Sequence, residues 1–493
     1  MSKTILAIDQ STSASKALLF DASGHLLDKV NRDHHQYYPR PGWVEHDAEE
    51  IYQNVLAVIG DLLEKHPAQR DNLLCLSITN QRETFVVFDR ESGAPLHHAI
   101  VWQCRRGEPR CQQMIDAGHE AHVTQTTGLK IDTYFPASKI TWLLDAEPEI
   151  KARINQGSAL IGTIETYLIY RLTNGAVFAS DHTNACRTLL YDINTLGWND
   201  TLCELFDVPR HVLPEIRESV AQFGTTDCDG LLAETIPICG VMGDSQAALF
   251  AQRCFAPGGA KVTLGTGSSV LLNVGNNPVR SNNGIVTTIG WVYDNKPTYA
   301  FEGIINFTGA TIAWMRDQLQ LITSTVETQK LAESVPDNGG VYLVPAFVGL
   351  SAPYWRADVQ GAIVGLTPSS TRAHVVRAAL ESIAYQIRDV LTLMAQDSGV
   401  TLQMIQADGG AVSNQFLMRF IADMTRLHIH ASTLPELSAL GAVFSGLLGM
   451  DVYTSLDQLE TLSANFDTYQ SQMPDEQVER YYSGWKIAVQ RVL

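Results

Sequence analysis

Two distant stretches of the chain alternate apolar runs with short polar turns in the same way. Residues 4–8 are apolar, Asp9-Gln10-Ser11-Thr12-Ser13-Ala14-Ser15 is polar, and residues 16–20 are apolar again. Residues 260–264 are strand-like, Gly265-Thr266-Gly267-Ser268-Ser269 reads as a turn, and residues 270–274 are strand-like once more. Each pattern predicts a strand, a turn and a returning strand. Together they form a weak internal repeat, shared in layout more than in sequence. Helical spacing appears elsewhere. Over 47–66 the stripe Ile51, Val55, Val58, Ile59, Leu62 and Leu63 follows Asp47, a suitable N-cap with Glu50 three residues on. A second long helix is predicted over 371–394, and a third over 413–427 after the loop Asp408-Gly409-Gly410-Ala411-Val412. Strands are predicted at 73–78 and 85–88, flanking the polar run 79–83. In GVMGDSQAALF, Asp244 opens an apolar helix.

Length turns this repeat into a domain expectation. At 493 residues the chain exceeds what one core can organise. With no linker or low-complexity tract in sight, the repeat alone places the boundary, giving domains 1–250 and 251–493. The balance of 45% apolar and 18% charged residues is that of a globular protein. A net charge of −18 argues against nucleic acid or an anionic membrane as partner, but not against a phosphate-bearing ligand held by local amides. The eight cysteines contain no C-x-x-C pair, which predicts free thiols in a reducing compartment. The short apolar run before Asp9 predicts neither signal peptide nor anchor, and the apolar stretch 439–450 is too short to span a bilayer.

Several turns could carry chemistry. The first presents Ser11, Thr12, Ser13 and Ser15 between Asp9 and Lys16; such amides and hydroxyls suit phosphate oxygens, and the acid suits hydrated Mg²⁺. Ordinary Ser/Thr turn chemistry explains the same residues. Gly265-Thr266-Gly267 and Asp408-Gly409-Gly410 are individually weak, but three such loops in a duplicated layout favour phosphate binding. Arg82-Glu83 also fits a surface ion pair on a bend, and Trp102, Arg105 and Arg106 also fit a partly exposed strand end. The histidine pairs 34–35 and 97–98 lack accompanying ligands and are expected at the surface.

Longer motifs then become legible: IDQSTSASKALLFD, YPRPGWVEHD, ITNQRET, AIVWQCRR, YFPASKITWLLD, GTIETYLIYRLT, GDSQAALF, LGTGSS, PAFVGLSAPYW, ESIAYQIRDV and DGGAVSNQFLM. Spread over nearly the whole chain, they resemble the FGGY family of carbohydrate kinases. The resemblance implies an α/β fold of two actin-like (ribonuclease H-like) domains around a central cleft, and ATP-dependent phosphorylation of a small polyol. It implies Asp9 as the Mg²⁺-associated acid. Thr12, Ser13, Lys16, Thr266, Gly267, Gly309, Gly410, Ala411 and Asn414 are implied around the nucleotide. It assigns Arg82, Glu83, Trp102 and Tyr134 to the polyol, and Asp244 as the base. A homo-oligomer, dimer or tetramer, is compatible with the resemblance, and the composition predicts a cytoplasmic protein.

Four positions depart from the family pattern. Ser11 replaces a glycine, and Lys16 replaces an arginine, keeping charge but losing the planar fork. Ser245 stands where a glutamine reaches the polyol, and Ser269 where a phenylalanine packs on its carbons. Both changes shrink side chains in the acceptor pocket, which leaves a four- or five-carbon polyol such as erythritol, or a pentitol or ketopentose, as the alternative substrate. A non-catalytic nucleotide-binding module on the same fold is the competing class. Asp244 beside Arg82-Glu83 discriminates, because such a module needs no acceptor base.

Overall fold

The computed structural model describes residues 3–493 except 351, 357, 435 and 464; Ser351 of the PAFVGLSAPYW motif therefore lies outside the described residues. The opening hairpin pairs Thr4–Gln10 with Ala14–Asp21, so its strands run further than the apolar residues do. Asp9 and Gln10 sit opposite Lys16 and Ser15 in the ladder, and the turn proper is only residues 11–13. Pairing with neighbouring strands holds these polar residues extended where local pattern predicted a loop.

Two large sheets carry the molecule. In the first, spatial order is Gln222–Thr226, Ile236–Gly243, Leu73–Asn80, Thr4–Gln10, Ala14–Asp21 and Leu26–Asp33. The second reads Phe466–Tyr469, His428–Ser432, Met404–Asp408, Gly259–Leu264, Ser268–Gly275, Lys296–Ile305 and Val286–Tyr293. Position by position the first six strands correspond, including their senses. Thr4–Gln10 and Gly259–Leu264 each lie between an antiparallel hairpin partner and a parallel neighbour. This is the duplication expected of two actin-like domains. A four-stranded sheet (Glu45–His46, Ala99–Ile100, Phe85–Asp89, Ala159–Thr163) with its own apolar cluster flanks the first.

The predicted helices form because their apolar stripes find these sheets. Ala48–Lys65 buries Ile51, Val55, Val58, Ile59, Leu62 and Leu63, and Asp47 caps it by accepting from the Glu49 and Glu50 amides. Glu50 does not turn back to complete the box; its carboxylate holds His35 Nδ1 at 2.7 Å. The second long helix runs Arg372–Ser398, past its predicted end to a left-handed Gly399. The third is shortened to Gln415–Thr425 because residues 410–413 make a 3₁₀ turn.

Helix Leu437–Gly449, late in the chain, packs on the first sheet and on the short helix Asp244–Ala251. All eight cysteines are buried free thiols. One expectation fails. His34 is buried, its ring edge-on to His46 with centroids 4.6 Å apart, because the strand Leu26–Asp33 ends against the flanking sheet. Of the other three, His35 is exposed and His97 and His98 half-buried.

Candidate functional site

In an open sheet of parallel strands, ligands gather at the strands' carboxyl ends. Here the ends of both sheets converge. Lys16 Nζ lies 3.0 Å from Asp9 Oδ2 and 2.7 Å from Glu436 Oε2, a carboxylate from the far end of the chain. Burial pushes the Asp9 acid up, and the Lys16 charge works against that rise. The turn between is fastened from outside. The Thr12 carbonyl accepts from Gln36 Nε2 at 2.9 Å, its hydroxyl from Trp102 Nε1 at 3.0 Å, and the Ser13 carbonyl from the His34 amide at 3.1 Å.

Strand Leu73–Asn80 delivers Arg82 and Glu83. Both are buried, so the reading as a surface bend is overturned. Glu83 has φ 62°, a left-handed conformation seldom taken by a non-glycine residue and a kind of strain that collects at functional sites. Their mutual approach is only 3.9 Å. Each instead binds a partner from farther along: Arg82 Nη2 meets Glu302 Oε1 at 2.8 Å, and Arg187 Nε meets Glu83 Oε1 at 2.6 Å. Arg187 Nη2 closes on Glu302 Oε2 at 2.6 Å. Burial raises the Glu302 acid, but the Arg187 and Arg82 guanidiniums outweigh it and hold the group down at about 2.

This chain of alternating charges ends at Asp244, whose Oδ1 is 3.1 Å from Arg82 Nε. Strand Ile236–Gly243 turns directly into helix Asp244–Ala251, placing the acid at the helix N-terminus. Oδ1 also accepts from the Ser245 amide at 2.6 Å. Gly243 is required because a Cβ there would run into the Arg82 side chain. With Arg82 buried behind it and its own side chain 41% exposed, Asp244 is oriented from within and open to a ligand.

Across the cleft, register aligns Asp408, Thr263, Ser269 and Ile304 in one row over four neighbouring strands. The alternate positions Val262, Leu264 and Val270 point into the second core, so this row faces away from it. At one end, Thr266, Gly309, Gly410, Ala411 and Asn414 line a cavity of about 710 Å³ walled by Ile312, Leu380 and Leu417. Gly267 follows Thr266 in the loop, where a Cβ would meet the Ile305 carbonyl. At the other end, a cavity of about 380 Å³ is lined by Tyr134, Arg187, Glu302, Ile304, Lys130 and Asp132 among others. Trp102 and Tyr134 stand edge to face, centroids 5.3 Å apart. The Ser269 hydroxyl is buried and has no hydrogen-bond partner among the described residues.

All the residues singled out from sequence therefore lie on this cleft or its loops except Arg105 and Arg106. Arg105 is exposed and paired with Glu108, while Arg106 is buried beside Trp43 and Trp142 and bonded to Glu45 at 2.6 Å. Sequence reasoning missed Arg187 and Glu302, and also Gln246, whose Oε1 accepts from Arg82 Nη1 at 3.1 Å. A lone acid within the apolar strand KPTYAFEGII was the available signal for Glu302. No group of three or more His, Cys, Asp or Glu able to hold a metal exists among the described residues.

A duplicated sheet whose strand ends meet over one oriented acid and one glycine-lined cavity is the architecture of a two-domain kinase. Models of the FGGY family of carbohydrate kinases match residues 4–251 with the N-terminal domain and 260–450 with the C-terminal domain. The chain belongs to that family and is an ATP-dependent phosphotransferase. It is 46% identical over 489 residues to glycerol kinase 1 of Thermotoga maritima, covering 99% of both chains. Against a glycerol kinase of Desulfitobacterium hafniense it is 43% identical, with all of both chains covered. A crystal structure of Plasmodium falciparum glycerol kinase with ADP superposes with a TM-score of 0.95 at 37% identity, covering 100% of this chain and 98% of that one.

Proposed function

We propose that the chain transfers the γ-phosphoryl group of ATP to a terminal hydroxyl of a small polyol, glycerol first, yielding glycerol 3-phosphate. The observation that carries this reading is Asp244, an acid fixed by Arg82 and by its own helix and open to a ligand. A polyol hydroxyl is a weak nucleophile. Asp244 accepts its proton as the oxygen's electron pair forms the new O–P bond and the bond to the ADP oxygen breaks. Arg82 and Glu83 bind the remaining hydroxyls, while Trp102 and Tyr134 cover the carbon chain and exclude water.

The nucleotide fits the larger cavity, with adenosine against its apolar wall and phosphates on Thr266, Gly267, Gly410 and the Thr12–Ser13 turn. Asn414 donates to Thr328 and caps the cavity's helix, its Oδ1 accepting from the Leu417 amide at 3.0 Å. Mg²⁺ fits Asp9, since this ion takes one or two carboxylates plus phosphates and water, not an all-protein cage. Bound there with the nucleotide, it would neutralise phosphate charge.

The experiment is turnover of ATP with an acceptor panel, run beside Asp244→Asn. The variant should lose about 10²- to 10⁴-fold in kcat while still binding ATP; near-normal turnover would remove Asp244 from the mechanism. The same panel tests a second reading, favoured by the unpartnered Ser269 hydroxyl and by the cavity running on to Asp132 and Lys130. A buried hydroxyl without a partner is costly, and a further substrate hydroxyl would satisfy it. On that reading erythritol or a pentitol outcompetes glycerol in kcat/KM; a preference for glycerol by orders of magnitude would sink it.

A further inference from the structure

Lys139 breaks two local rules at once. It is the fourth residue of helix Pro136–Ala146, where a cation opposes the helix dipole, and it is fully buried. No described carboxylate lies within ion-pair distance of it. A buried ammonium without such a partner is expensive unless main-chain dipoles replace its water. They do so here from two separate segments. Side chains on a helix lean toward its N-terminus, so Nζ reaches back across the first turn. It donates to the carbonyls of Val101 at 3.2 Å, Trp102 at 3.3 Å and Tyr134 at 3.3 Å.

Those carbonyls belong to the two segments that carry the aromatic wall of the acceptor site. Trp102 follows the strand Ala99–Ile100, and Tyr134 ends the turn before the helix; nothing in sequence places them side by side. We propose that Lys139 is a positioning residue of the acceptor site, its ammonium fastening the backbones of Trp102 and Tyr134 at one point so that the two rings keep their edge-to-face angle over the substrate. The inference rests on the acceptor reading of that wall. Burial lowers Lys139 to about 8, outweighing the opposing influence of Cys104, Glu83 and Asp132. Trp102 is further held by Thr12 on the phosphate turn, so the wall's far edge has an independent anchor. Loss of Lys139 therefore loosens the acceptor side selectively.

The test compares Lys139→Met and Lys139→Gln with the wild type, measuring KM for the best acceptor, KM for ATP and thermal stability. Lys139→Met should raise the acceptor KM about tenfold or more, the cost of hydrogen bonds from a charged donor, while the ATP KM stays within about twofold. Lys139→Gln keeps two N–H donors and should recover part of the acceptor KM. Parallel changes in both KM values, or none, would overturn the assignment, as would failure of both variants to fold, which would make Lys139 a residue of the core alone. A wild type inactive on every acceptor fails the functional reading and this one with it; an active wild type without the KM split fails this one alone.

Discussion

Glu302 shows how single residues share charge in this cleft. It is buried to 2% exposure, yet Arg82 and Arg187 keep it ionised far below the ordinary carboxylate range of 4.5. Because its folded value, about 2, lies under its unfolded value, its contribution to stability is complete above pH 4.5 and is lost as pH falls toward 2. That window is worth about 3 kcal/mol at 1.36 kcal/mol per unit. Replacing it by glutamine removes the carboxylate that two buried guanidiniums share, leaving Arg187 with Glu83 and Arg82 with Asp244, so Glu302→Gln should cost about 3–5 kcal/mol at pH 7 in urea unfolding. The gap between variant and wild type should close between pH 4.5 and about 2. A gap that stays constant through that range would show that Glu302 is not the titrating group. Sequence could not supply this residue's role: its partners Arg82 and Arg187 lie far back in the chain, and only folding makes them neighbours. Arg82-Glu83, by contrast, looks like an exclusive pair in sequence, but in space the two approach only to 3.9 Å and each makes its shorter contact elsewhere.

At the scale of elements, what the residues encode locally was readable and what tertiary contact imposes was not. The stripe of Ala48–Lys65 is a property of eighteen consecutive residues, and all six of its apolar positions are buried as expected. The first turn came out too long because Asp9, Gln10 and Ser15 are polar yet extended, held in the backbone ladder opposite Lys16, Ser15 and Gln10. Polar residues crowd strand ends here because those ends are the site. The seating of helix Asp244–Ala251 was equally hidden. It crosses helix Leu437–Gly449 at Gly441, where a Cβ would strike the Ala247 carbonyl, and Gly240 meets the Ala442 carbonyl in the same way. Glycine at these two positions lets the backbones approach. The helix that presents Asp244 is thereby fixed from the far end of the chain.

Over the whole molecule, the two sheets are joined by apolar packing as well as by the cleft. One core cluster includes Ile5, Leu18 and Phe20 from the opening hairpin, Leu271, Trp291 and Ala300 from the second sheet, and Leu440, Phe444 and Leu447 from the crossing helix. Lys16 and Lys29 add ion pairs to Glu436 beside it. The repeat in sequence foretold two similar halves, but continuous composition gave no hint that they share a core. Inter-domain interfaces usually permit independent motion, whereas a large hydrophobic one couples its partners. The halves should therefore unfold together. A nucleotide bound between Thr266 and Gly410 would then stabilise the entire chain and not the second half alone. At a hundredfold excess over Kd the gain is about 2.7 kcal/mol. Calorimetry with and without a non-hydrolysable ATP analogue and Mg²⁺ should show one transition that moves upward as a unit. Two separable transitions, with only one responding to nucleotide, would mean that the shared core does not couple the halves.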